Sequence, residues 1–133
     1  MTVTGRLSTG IEGLDEILHG GLLCQRNYMV QGSAGSGKTI LALHFLQAGL
    51  DAGETGLFIN IEEDLDDLRS NAAALGFDTD AIDFLDLSPT ADVFVEDRTY
   101  DVFDAAEVEQ EPLREAIVDA VDDADPDRVV VDP

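Results

Sequence analysis

Residues 32–39 read GSAGSGKT, a full match to the pattern G-x-x-x-x-G-K-[ST]. This octapeptide constrains the fold more than any other feature, because its chemistry needs a strand before it and a helix after it. Gly32, Gly35 and Gly37 can take backbone conformations closed to other residues and let the main chain approach a ligand. Together with Ser33, Ala34 and Ser36, and with the first turn of the following helix, they turn N–H groups toward phosphate oxygens. Lys38 places a point charge on the β- and γ-phosphates, and the Thr39 hydroxyl ligates Mg²⁺ beside them. Lys38 is also the only lysine in the chain. In a composition that avoids lysine elsewhere, the exception marks a place where that charge is needed. The bland alternative is a Gly-rich helix entry with an incidental lysine.

The flanks have the required character. Residues 27–31, NYMVQ, read as a short strand leading into the loop. From Thr39 to Leu50, Ile40, Leu43, Leu46, Gln47 and Leu50 recur at helical spacing, with Gly53 beyond the end. Upstream, residues 8–22 read as a short helix between glycines. Downstream, residues 55–61 (TGLFINI) read as a strand, residues 62–75 as a helix opened by acidic residues and closed at Gly76, and residues 82–87 (IDFLDL) as a half-buried strand. Residues 88–111 read as a surface loop with a short element around Val93–Val95. Pro112 suits the first turn of a last helix, Asp125-Pro126-Asp127 breaks that helix, and residues 128–132 (RVVVD) form a buried strand. Strand–helix alternation of this kind predicts an α/β fold built on a mainly parallel sheet, in one undivided domain.

Charge bounds the partners. Twenty-nine Asp and Glu face seven Lys and Arg, for a net charge of −22, and Asp outnumbers Glu 19 to 10. A disordered acidic tail would lack apolar periodicity, whereas 44% of this chain is hydrophobic and patterned. The remaining reading is a folded protein of a salt-rich cytoplasm, a halophilic one, where the Debye length falls to about 3 Å at 1 M salt. Without a basic patch, nucleic acid is not an expected partner. No run nears the roughly 18 apolar residues of a membrane span, and the N-terminal MTVTGRLSTG lacks a signal-peptide core, so the expected location is cytoplasmic. Cys24, alone, supports neither a disulfide nor a thiolate metal site; His19 reads as a helix-end residue and His44 as a helix-face residue.

Two further acidic positions fall at strand ends. Glu62 and Glu63 follow LFINI, and Asp132 follows VVV. In a parallel sheet, ligands bind at the carboxyl ends of the strands, so both positions would face the phosphate loop. Asp132 suits an outer-sphere Mg²⁺ holder, and Glu62 or Glu63 suits a group that orients or deprotonates a water. Each also has a plain reading: Glu62 and Glu63 as charge at a helix entry, Asp132 as a turn residue before Pro133.

Taken together, STGIEGLDEILHGGL, GSAGSGKT, LFINIEED and RVVVD resemble the KaiC-type branch of the RecA-like P-loop ATPases, over essentially the whole chain. The resemblance implies a RecA-like P-loop NTPase core, with residues 1–133 forming the N-terminal part of a single ATP-binding domain. It implies ATP as nucleotide and Mg²⁺ as cofactor, Glu62 and Glu63 as the catalytic glutamate pair, and Asp132 as the aspartate on the Mg²⁺ side. A homo-oligomer or a partner protein is implied in the same way. Cys24-Gln25 departs from the Pro-Gly that relatives often carry there. In the family, the strand after Asp132 bears a polar sensor residue and lies between the phosphate-loop strand and the Asp132 strand. Within 133 residues that strand is missing, so the fold is expected to be incomplete at its C-terminus. Either the two flanking strands pair directly, another chain fills the gap, or the fragment folds poorly. Three functional readings follow: an ATPase, a module that binds ATP and signals without turnover, and an inactive fragment.

Overall fold

The computed structural model describes residues 5–89 and 105–133. In chain order the elements are β1 (Arg6–Leu7), α1 (Glu12–Ile17), β2 (Leu22–Leu23), α2 (Lys38–Asp51), β3 (Gly56–Asn60), α3 (Leu65–Ala74), β4 (Asp83–Asp86), α4 (Ala105–Ala124) and β5 (Arg128–Asp132). Three of these strands form the main sheet in the order β4-β3-β5, all parallel. Every residue of β3 is buried, which is why LFIN is apolar almost throughout: a central parallel strand is covered on both faces.

The two faces are separate cores. Phe58, with Phe84 and Val130 beside it, meets Leu43 and Leu46 of α2 and Leu68 and Ala72 of α3. Leu57, Ile59 and Leu85 face the other way and meet Leu113, Ala116, Ile117 and Ala120 of α4. The period-2 alternation of strand side chains sorts the residues between the layers. Helix α2 seats closely because β3 begins with glycine: a Cβ on Gly56 would stand 3.1 Å from Leu46 Cδ2. Among the described residues no helix is long and apolar enough to cross a membrane.

Four local expectations are corrected. Residues 27–31 do not form a strand; Tyr28, Met29 and Val30 are 50%, 82% and 54% exposed. A strand needs ladder partners, and β5, whose inner edge is fully paired with β3, does not reach this segment. Direct pairing of the two flanking strands therefore does not occur. Second, α3 starts at Leu65, where the Asp64 carboxylate caps it by accepting from the Asp67 N–H at 3.2 Å. Glu62 and Glu63 lie ahead of the helix and are not its entry charges. Third, α4 begins at Ala105 and encloses Pro112, so residues 105–111 are helix rather than loop. The element expected around Val93–Val95 lies outside the described residues. Fourth, residues 5–24 hold an unforeseen antiparallel pair, Arg6 opposite Leu23 and Leu7 opposite Leu22, closed around α1. The 8–22 helix is correspondingly trimmed to Glu12–Ile17.

Candidate functional site

The octapeptide forms an open loop at the start of α2. Gly35 has φ +79° and Gly37 has φ +100°, both in the left-handed region that glycine favours. Gly37 is the residue at which the chain turns into α2, and the loop closes on itself through a 3.1 Å bond from the Ser36 N–H to the Ser33 carbonyl. Gly32 is needed for space: a Cβ there would lie 2.6 Å from Ser36 Oγ. Ser33, Ala34 and Ser36 are solvent-exposed, and the N-terminal amides of α2 carry the positive end of the helix dipole. Lys38 folds back over the loop, Nζ donating to the carbonyls of Gly32 and Ser33. Its ammonium thus stays against the loop backbone, where a phosphate oxygen could replace a carbonyl as acceptor.

Thr39 and Asp132 meet. Thr39 Oγ1 donates to Asp132 Oδ2 at 2.7 Å across 93 positions of sequence. Thr39 is in the first turn of α2 and Asp132 ends β5, so the contact joins the loop to the carboxyl edge of the sheet. Two adjacent hard oxygen donors, both only partly buried, suit Mg²⁺, which takes one or two protein oxygens and completes its octahedron with water and phosphate. A dedicated protein cage is not the alternative: among the described residues no three His, Cys, Asp or Glu side chains gather around one point.

The strand register brings the glutamate pair to the same edge. Asn60 is the parallel partner of both Asp86 on β4 and Asp132 on β5, and the Ile61 N–H donates to the Asp132 carbonyl at 3.2 Å. Glu62 and Glu63 follow at once in a bend, both exposed. The bend is held from beneath by Asn60, which is 1% exposed. Its amide Nδ2 donates to the Glu63 carbonyl at 2.7 Å and to Asp86 Oδ1 at 3.2 Å, and the same carboxylate oxygen accepts from the Ser88 N–H at 3.0 Å.

Sequence reasoning missed Asn60 and Asp86. The signal was present, since a lone amide inside an apolar run must find partners once buried. It also missed the knot at the N-terminal segment. There the Asp15 carboxylate accepts from the hydroxyls of Ser8 and Thr9 and from the Thr9 N–H (2.7 Å). These donors, the Ser8 hydroxyl foremost, hold the Asp15 carboxyl below the usual carboxylate range. His44 lies on α2 with its ring edge-on to Phe77 at 4.9 Å, His19 ends α1 in a left-handed turn, and Cys24 is buried and unbridged.

A family model described as "ATPase: KaiC" matches residues 7–133. The circadian clock oscillator protein KaiC of Prochlorococcus marinus (strain MIT 9313) is 40% identical over 94 residues, covering 65% of this chain and 19% of that protein. A UPF0273 protein of Pyrococcus horikoshii is 34% identical over 137 residues, covering 98% of this chain and 55% of its own length. A UPF0273 protein of Thermotoga maritima is 33% identical over 134 residues, covering 96% and 54%. The chain thus spans about half the length of the UPF0273 relatives, and less of the clock protein.

Proposed function

The chain belongs to the KaiC family of ATPases, and on that premise we propose that it binds Mg-ATP at the 32–39 loop and that its glutamate pair serves hydrolysis. The observation that carries this reading is the 2.7 Å Thr39–Asp132 contact. It joins the two groups that would share Mg²⁺, one from the first turn of α2 and one from the end of β5. In the proposed complex the loop amides and Lys38 hold the phosphates, while Thr39 and Asp132 hold the metal. Bound Mg²⁺ supplies charge neutralisation at the terminal phosphates. Glu62 or Glu63, at the end of β3, orients or deprotonates the attacking water.

Charge makes the same demand. A chain of net charge −22 repels an anionic nucleotide at long range. Lys38, the helix dipole and Mg²⁺ act locally, and multimolar salt shortens the repulsion to about 3 Å. The binding we propose is therefore tuned to a salt-rich interior.

A second reading, binding without turnover, has its own support. The outer edge of β5 has no strand partner among the described residues, and Val129 and Val131 are half exposed. The metal-side aspartate thus sits on an edge strand.

The test is thermal unfolding in multimolar KCl, with and without Mg-ATP, for the natural chain and for Lys38→Ala. Ligand at 100 times its Kd adds about 2.7 kcal/mol of stability. At the roughly 3–4 °C per kcal/mol expected for this size, that is an upward shift of about 9 °C. Lys38→Ala should unfold at the same temperature without ligand and show no shift with it. Equal shifts in both chains would remove the loop from nucleotide binding.

A further inference from the structure

We propose that Arg128 is a positioning residue for the metal-holding pair: it fixes where α2 sits along β5 and so keeps Thr39 beside Asp132. The proposal rests on the Mg-ATP reading above. Arg128 opens β5 and is 4% exposed. A buried guanidinium is costly unless its donors are engaged, and here Nε and Nη1 are. Nε donates to Glu54 Oε1 at 2.9 Å, and Nη1 donates to the carbonyls of Phe45 at 2.8 Å and Ser8 at 2.7 Å. The guanidinium carbon lies 4.7 Å from the centre of the Phe45 ring. Helix α2 makes room for the stem with Gly49, where a Cβ would stand 2.7 Å from Arg128 Cδ.

These contacts have a consequence at the other end of the same two elements. Helix α2 and strand β5 share two directional ties, Phe45 with Arg128 and Thr39 with Asp132. Between the ties the contact is apolar, Val130 packing into the cluster of Leu43 and Leu46, and apolar contact is non-directional. Strand β5 cannot slide, because all five of its residues are paired with β3. The coordinate left for Arg128 to set is the axial position of α2, which is also tied where Gln47 Oε1 accepts from the Asp78 N–H at 2.8 Å. A slide of one residue is about 1.5 Å, and to the extent that it runs along the 2.7 Å Thr39–Asp132 bond it stretches that bond toward and beyond hydrogen-bond range. Arg128 resists that slide by gripping a carbonyl in the middle of the helix. It also ties α2 to Ser8, whose hydroxyl is engaged by Asp15.

The deciding experiment is calorimetric titration of ATP, once with excess Mg²⁺ and once with excess EDTA. The chains are the natural one, Arg128→Met, Arg128→Lys and Gly49→Ala, each first checked for a cooperative thermal transition. Phosphate contacts of the loop and Lys38 operate in both conditions, whereas Thr39 and Asp132 act through the metal. Positioning by Arg128 predicts unchanged affinity in EDTA and a loss of about tenfold to a hundredfold in the gain that Mg²⁺ brings, the range expected of a misplacement near 1 Å. Arg128→Lys should recover part of the gain. Gly49→Ala should reproduce the loss with the arginine still present, since the new methyl displaces the stem while improving helix propensity. It therefore decides the matter even if Arg128→Met does not fold. Folded variants that keep the full Mg²⁺ gain, or lose affinity equally in both conditions, overturn the proposal. A natural chain that binds ATP in neither condition refutes the Mg-ATP reading first, and this proposal with it.

Discussion

Replacing Asn60 with leucine removes the amide beneath the glutamate bend while roughly conserving volume. Both N–H donors of Nδ2 are in use, one on the Glu63 carbonyl at 2.7 Å and one on the Asp86 carboxylate at 3.2 Å. A neutral hydrogen bond contributes about 1 kcal/mol net and one to a charged group about 1.5–3 kcal/mol, so their sum is roughly 2.5–4 kcal/mol. Asp86 is half-buried, and water can replace part of what it loses, which favours the lower end. For a chain of this size, about 2–3 kcal/mol corresponds to a fall of roughly 6–12 °C in the unfolding midpoint. A double-mutant cycle isolates the pair: Asn60→Leu, Asp86→Ala and the double variant, by thermal or urea unfolding in high salt. We predict a coupling of about 1–2 kcal/mol between them, as for groups in one hydrogen-bond network. Additivity within about 0.3–0.5 kcal/mol would refute the network, and with it the idea that Asn60 and Asp86 hold the bend as a unit.

Two further outcomes are expected. Glu62→Gln and Glu63→Gln should each retain the Mg-ATP-induced thermal shift, and the variant that loses about 10²–10⁴-fold in phosphate release identifies the base; full turnover in both would remove the pair from the chemistry. Asp15→Asn should lower the unfolding midpoint by a few degrees at neutral pH. The folded-state pKa of Asp15 lies below its unfolded value, so its contribution is present above the ordinary carboxylate range and fades as pH falls through the folded value. The difference between natural and variant chains should therefore close on acidification. Following the difference matters, because protonating the other carboxylates also relieves the self-repulsion of a chain at −22. A constant offset at all pH values would show that Asp15 acts through something other than its charge.

Much of the architecture was legible because it rests on period and punctuation. The stripe of Leu43, Leu46 and Leu50 needs only a helical period to be found, and it is the stripe that α2 lays on Phe58. LFIN and RVVV need only apolar content to be found, and both are sheet strands, but RVVVD is not the buried strand expected: it lies at the sheet edge with Val129 and Val131 exposed. The 32–39 loop is local, eight consecutive residues whose conformation rests on their own glycines. What escaped was set by partners distant in sequence. Arg128 reads only as the charged first residue of a strand, and only the folded chain brings Ser8, Phe45 and Glu54 around it. The exact start of α3 escaped because five acids stand within residues 62–67, and any of several could cap; the structure selects Asp64.

The strand expected at residues 27–31 shows why composition is not sufficient. NYMVQ has β propensity, and propensity for strands is mostly the worth of side-chain packing against neighbours on a pleated surface. Here that surface is not offered. The sheet ends at β5, whose outer edge has no partner among the described residues, and Met29 stands 82% exposed. The phosphate loop is nevertheless formed, because its order comes from the other side. Gly37 opens a helix of 14 residues, α2 is packed on Phe58 and Leu68, and Arg128 and Asp132 grip it at two points. A loop held from its helix alone keeps its amides, Thr39 and Asp132 together although residues 27–31 do not pair with the sheet. Nucleotide affinity should then depend on the α2–β5 contact first, and on residues 27–31 only when a further strand lies between them and β5.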